Sequence, residues 1–140
     1  MTKQLASEVM AILWQDGKVM GISHTTDTST DAWTLPRGSA DGTLGSEQSC
    51  MHMVQRSLGY PVSTLWLMDT YAVQTEGGHT VLDCFICVIP KEAVPITPAT
   101  VTIKWFTRDE LARSAWDTMS DSAIRTIGQY WDSFFMTEHL

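Results

Sequence analysis

The chain has 140 residues, of which 44% are hydrophobic and 18% charged. That length amounts to one domain, 1–140, at about 150 residues per domain, and the balance is too apolar for a disordered chain. Nine Lys and Arg against sixteen Asp and Glu leave a net charge of −7. The balance excludes bulk nucleic acid and an anionic membrane surface as partners, since both need a basic face.

The first eight residues, Met1 to Glu8, hold no apolar leader segment, and the longest apolar stretches fall short of the ~20 residues of a membrane helix. Three cysteines, Cys50, Cys84 and Cys87, without disulfide spacing point to a reducing, cytoplasmic location.

Glu8 to Trp14 is an apolar strand that ends in Gln15-Asp16-Gly17. Asp-Gly between two apolar runs predicts a hairpin, with Lys18 to Ile22 as its second strand. His24 to Ala32 is rich in Thr, Ser and Asp and reads as a loop. Trp33 to Pro36 re-enters the core, and Arg37 to Gly45 reads as a second loop. A helix follows, with Ser46 as N-cap and Gly59 just past its end. Its apolar stripe is Cys50, Met53, Val54 and Leu58. A long hairpin comes next: Thr64 to Val73, a turn at Glu76-Gly77-Gly78, and Thr80 to Ile89. Lys91 to Pro98 is a proline-rich loop, and Thr100 to Phe106 alternates as a strand. Arg108 to Arg113 reads as a short helix. Asp121 to Phe135 reads as a final amphipathic helix with Ile124, Ile127 and Trp131 on one face. Strands, helix, strands, helix define an α+β (mixed α/β) class.

Cys84 and Cys87 form a C-x-x-C pattern inside the predicted strand. Side chains three apart on a strand face opposite ways, so this pair neither pinches a metal nor bridges. The reading is two buried, small apolar side chains.

Trp33-Thr-Leu-Pro-Arg-Gly38, the helix ending at Gly59, and the following hairpin resemble the Nudix hydrolase family, most of all its MutT-like nucleotide pyrophosphohydrolases. The signature G-x5-E-x7-R-E-U-x-E-E-x-G-U, with U aliphatic, lies without a gap on Gly38 to Tyr60. Downstream, Trp105-Phe-Thr-Arg-Asp-Glu-Leu111 resembles the family's last strand and short helix. The resemblance implies an α/β/α sandwich with a central mixed sheet. It also implies helix carboxylates that hold Mg²⁺ beside a diphosphate.

The carboxylates themselves are replaced. The first glutamate of the signature falls on Leu44 and the arginine on His52. The three helix glutamates fall on Met53, Arg56 and Ser57, while Val54 and Gly59 are kept and Tyr60 takes the last aliphatic place. A further glutamate common in MutT-like members falls near Ala99. No metal ligand is therefore assigned, and Mg²⁺ enters only if the chain hydrolyses with other ligands.

Arg56 puts a fixed positive charge where a dication belongs. With Arg37 and Gly38 it forms either a phosphate-binding patch or, on the plainer reading, a solvated helix residue. Asp41 and Glu47 flank the empty positions and are the weak catalytic candidates; turn chemistry and the helix dipole explain both equally well. His52 lacks a paired acid. Asp121 is either an N-cap or the group that reads a base edge in MutT-like members. Trp33, with Tyr71 and Trp116, offers an aromatic face for a base.

Three functions compete. The chain binds a nucleotide or nucleoside-diphosphate-type ligand without efficient hydrolysis. Or it hydrolyses such compounds with unusual ligands. Or it is a scaffold in a homodimer or larger complex.

Overall fold

The computed structural model describes residues 8–23, 32–40, 43–62, 64–75, 78–94 and 101–135. Among the described residues, six strands and four helices run in the order β1 (Glu8–Gln15), β2 (Lys18–Ser23), β3 (Arg37–Ser39), α1 (Ser46–Leu58), β4 (Thr64–Thr75), β5 (Gly78–Val88), β6 (Thr102–Phe106), α2 (Arg108–Arg113), α3 (Thr118–Gln129) and α4 (Trp131–Phe135). The strands make one mixed sheet in the order β4-β5-β1-β2-β6, with β3 attached to β1. β1 and β5 are parallel; the other pairs are antiparallel.

The β1–β2 connection is the two-residue turn that Asp-Gly predicts. Asp16 and Gly17 both have positive φ, 53° and 81°, as a type I′ turn requires. β1 then fills the middle of the sheet, and the period of two divides its side chains. Met10, Ile12 and Trp14 face one side, where Leu82, Cys84, Ile86, Phe106, Leu111, Ile124 and Ile127 pack. Val9, Ala11 and Leu13 face the other, with Cys50, Val54, Leu58, Tyr60, Phe85 and Cys87. α1 covers the second face, and α2 and α3 cover the first. The result is the expected α/β/α sandwich. It explains why Glu8 to Trp14 reads as a continuous apolar run: a strand covered on both faces has no polar side to show. Cys84 and Cys87 fall in the two different cores, as the strand reading requires.

Several expectations need correction. Arg37 to Ser39 is a strand, not loop, because it adds to the start of β1, with Glu8 opposite Ser39 and Met10 opposite Arg37. Gly45, not Ser46, is the N-cap of α1, and Ser46 is its first helical residue. Gly59 ends α1 in the left-handed region at φ 72°, donating its N–H to Gln55 O, as expected of it. The last helix starts earlier than predicted and is broken. Asp117 caps α3 by accepting the Ser120 N–H at 2.8 Å, and Tyr130 separates α3 from α4. No helix among the described residues is long and apolar enough to cross a membrane.

Candidate functional site

The Trp33 to Gly38 segment is anchored at both ends. Thr34 pairs with Ile22 of β2, and Trp33 bridges to Trp116. Leu35 donates its N–H to Ser120 Oγ at 2.9 Å, and Thr34 Oγ1 lies 3.3 Å from the same oxygen. Ser120 is fully buried, so this hydroxyl ties the start of α3 to the loop that leads into β3. The sequence does not single out Ser120: it sits among serines that read as capping residues.

β3 then delivers Arg37 and Gly38 to one edge of the structure. They line an open hollow of about 400 Å³ with Glu8, Ser39 and Thr80. Arg37 Nε lies 3.8 Å from Glu8 Oε1, and both side chains are 36% exposed. A pair that open contributes about 0–1 kcal/mol, so an incoming anion has little to displace. Glu8 and Thr80 belong to this hollow yet carry no motif that marks them in the sequence.

Gly38 is required here by closeness rather than by φ. A Cβ at Gly38 would stand 2.8 Å from Met53 Cγ and 3.5 Å from Met53 Cβ. Met53 is half-buried and packs on the α1-side core. The Cβ and Cγ of Met53 thus fill the space directly under the start of the signature. Met53 stands at the place of a glutamate in the family pattern.

The other predicted residues are dispersed. Arg56 is exposed in the last turn of α1, where a cation complements the helix dipole. Glu47 is exposed in the first turn, the matching place for an anion. It precedes Met53 by six residues, about 9 Å of helix axis, and leaves a different face. Asp41 lies outside the described residues. His52 and Ser57 are exposed on α1, and Leu44 is 38% exposed just before it. Among the described residues no three His, Cys, Asp or Glu side chains converge on one point.

Asp121 is not the N-cap of the last helix; Asp117 takes that place. Asp121 sits in the first turn of α3 and binds Arg125 Nε at 2.7 Å. It lines a separate hollow of about 630 Å³ between α2 and α3, floored by Leu111 and Ile124. Trp33 lies on the α3 side of the sheet, half-buried and edge-on to Phe106 with centroids 5.3 Å apart. Trp116 is a core residue. It is 9% exposed, tilted against Phe106 at 5.0 Å, and its Nε1–H donates to Leu111 O. Tyr71 is half-buried on the same side. Arg37 and Gly38 therefore share a hollow, whereas Arg56 is on the outer surface of α1 and Trp33 and Asp121 are on the α3 side.

Among the described residues the donor set does not fit Mg²⁺. Hard cations take oxygen ligands, and the helix positions that the signature gives to glutamates hold a packed thioether, an exposed guanidinium and one exposed hydroxyl. What the hollow does offer is a cation, a carboxylate, two hydroxyls and the half-buried backbone of a glycine. A guanidinium and hydroxyls are donors of the kind that phosphate oxygens accept from.

Comparison with solved structures identifies the fold. The Nudix domain of Shewanella oneidensis NrtR, solved in complex with ADP ribose, superposes with a TM-score of 0.69 at 19% identity, over 94% of this chain and 90% of that one. A MutT Nudix hydrolase from Burkholderia pseudomallei gives 0.69 at 17% identity, over 89% and 99%. A Nudix hydrolase from Nitrosomonas europaea gives 0.67 at 15%, over 88% of each chain. No family model and no curated protein matches the chain. The fold is the Nudix fold.

Proposed function

We propose that this Nudix-fold chain binds a nucleotide or nucleoside-diphosphate-type ligand and does not hydrolyse it efficiently. The observation that carries the reading is the contact of Met53 with Gly38. A side chain that packs as an apolar plug under the signature loop leaves no place there for a hydrated dication. Arg37 supplies the positive charge for a phosphate in its stead. Glu8, facing Arg37 across the same hollow, accepts from sugar hydroxyls, and Ser39 and Thr80 add hydroxyl partners. A neighbour in the same fold holds ADP ribose, a ligand with both of these features.

The test is thermal unfolding with ADP ribose and nucleoside diphosphates in the presence of EDTA. A ligand at about 100 times its Kd stabilises by about 2.7 kcal/mol, a rise of several degrees in Tm. The rise is expected in the native chain and is lost in Arg37→Glu. Release of phosphate, nucleoside monophosphate or ribose 5-phosphate is measured in parallel with Mg²⁺ and Mn²⁺. Release above a heat-inactivated control overturns the proposal in favour of hydrolysis, with Asp41→Ala and Glu47→Ala the first variants to make. Silence in both assays overturns it in favour of a scaffold.

A further inference from the structure

Cys50 and Cys87 are 37 residues apart in the sequence, yet their Sγ atoms lie 3.9 Å apart. One comes from α1 and the other from β5. Both are free thiols with fully buried side chains. Cys84, the partner that the C-x-x-C spacing suggests, is in the core on the opposite face of the sheet. Neither the fold nor the hollow at Arg37 calls for two adjoining thiols at this point. A disulfide needs the sulfurs at about 2.05 Å, so the two side chains must close the remaining distance for the bond to form.

We propose that Cys50 and Cys87 are a redox-modification site, converted by hydroperoxides into a disulfide that staples α1 to β5. In the first step one sulfur, as thiolate, attacks a peroxide oxygen. The O–O bond breaks, water or an alcohol leaves, and a sulfenic acid forms. In the second step the other thiolate attacks the sulfenic sulfur. The S–O bond breaks, the S–S bond forms, and a water leaves. Two thiols lose two electrons and two protons, and one peroxide is reduced.

Access sets the rate. The hydrogen bond with Cys50 and burial push the Cys87 thiol well above the usual thiol range, so the Cys87 thiolate is scarce while α1 is docked. The reaction runs through local opening of α1, the element that covers this face. The finished bond then opposes that opening. α1 also carries Met53, the plug under Gly38, so the staple fixes the helix that shapes the ligand hollow.

The test treats the full chain with hydrogen peroxide, alone and with urea below the unfolding transition, then alkylates it. The expected product has lost two hydrogens in intact mass. Its tryptic map without reductant links peptide 38–56 to peptide 57–91. It melts several degrees higher, and dithiothreitol reverses the change. Mild urea speeds the reaction. Cys84→Ala retains all of this, while Cys50→Ala and Cys87→Ala each lose the link and the rise. A link that survives in Cys87→Ala, covalent dimers in place of the internal link, or a link without a higher Tm overturns the proposal. Should an alanine variant fail to fold, one equivalent of a trivalent arsenical on the native chain decides. Joint protection of Cys50 and Cys87 from alkylation supports the pair, and protection of neither overturns it.

Discussion

Replacing Gly38 by alanine adds a single methyl group at the tightest point between β3 and α1. The methyl would stand 2.8 Å from Met53 Cγ, well inside van der Waals contact, so something must yield. Overpacking of this kind costs about 1–3 kcal/mol. Two effects pull toward the low end. Met53 is unbranched and turns aside more readily than a ring. Alanine also restricts the unfolded chain, which stabilises by about 0.4–1 kcal/mol where the backbone tolerates it. The net expectation is a loss of about 1 kcal/mol, read as a lower urea midpoint at unchanged m-value. The cause is tested in the Met53→Ala background. There the obstruction is gone, and Gly38→Ala becomes neutral or mildly stabilising. Equal costs in the two backgrounds would refute the contact as the reason for the glycine, since independent sites add. The same assay follows the site: if Met53 is the plug, Gly38→Ala disturbs ligand stabilisation more than an equally destabilising change in the α3-side core.

Gly21→Ala meets rings rather than a flexible chain, with a Cβ 2.6 Å from Phe106 Cε1 and 2.8 Å from Trp116 Cη2. It is expected to cost more than Gly38→Ala, near or above ~3 kcal/mol, in the same denaturant series. Glu8→Gln frees Arg37 from its neighbouring carboxylate. It should raise the affinity for plain diphosphates and lower it for sugar-linked ones, measured as Tm shifts at fixed ligand. Burial raises Tyr60 from 10.0 to about 12. The unfolded chain therefore ionises first, and the stability from this group is intact below pH 10 and lost as pH rises toward 12. Tyr60→Phe should flatten the alkaline limb of a stability–pH curve, and an unchanged limb refutes the assignment. Restoring glutamates together at Met53, Arg56 and Ser57 should create a Mg²⁺-dependent rise in Tm that the native chain lacks.

Local chemistry made much of the fold legible. Asp16-Gly17 specifies its turn, Gly59 its helix end, and the apolar run of Glu8 to Trp14 its first strand. What escaped depended on contacts between segments distant in sequence. Arg37 to Ser39 is a strand because the start of β1 has a free edge, which three polar and small residues do not announce. The break at Tyr130 interrupts an amphipathic pattern that continues across it. The site was less legible still. Arg37 and Gly38 were found through a motif, but Glu8 and Thr80 join them only through the pairing of β3 and β5 with β1. Asp121 was misplaced because Asp117, four residues earlier, satisfies the capping geometry. The Cys50–Cys87 pair was hidden because spacing drew attention to Cys84, and only the parity of β5 and the docking of α1 select the true neighbour.

The parallel pairing of β1 with β5 has a consequence for how the chain is made. Between Gln15 and Val88 a ribosome must add 73 residues, roughly 4–15 s of synthesis at cellular rates. During that interval β1 has emerged with apolar side chains on both faces, and its sheet neighbours are β2 and then β3. Neither covering helix layer is in place until α1 and then α3 arrive. The centre of the finished molecule is thus exposed on the nascent chain for longer than the elements that come to cover it. Chaperone binding to the newborn chain should concentrate on Val9 to Trp14, and release should follow the emergence of β5.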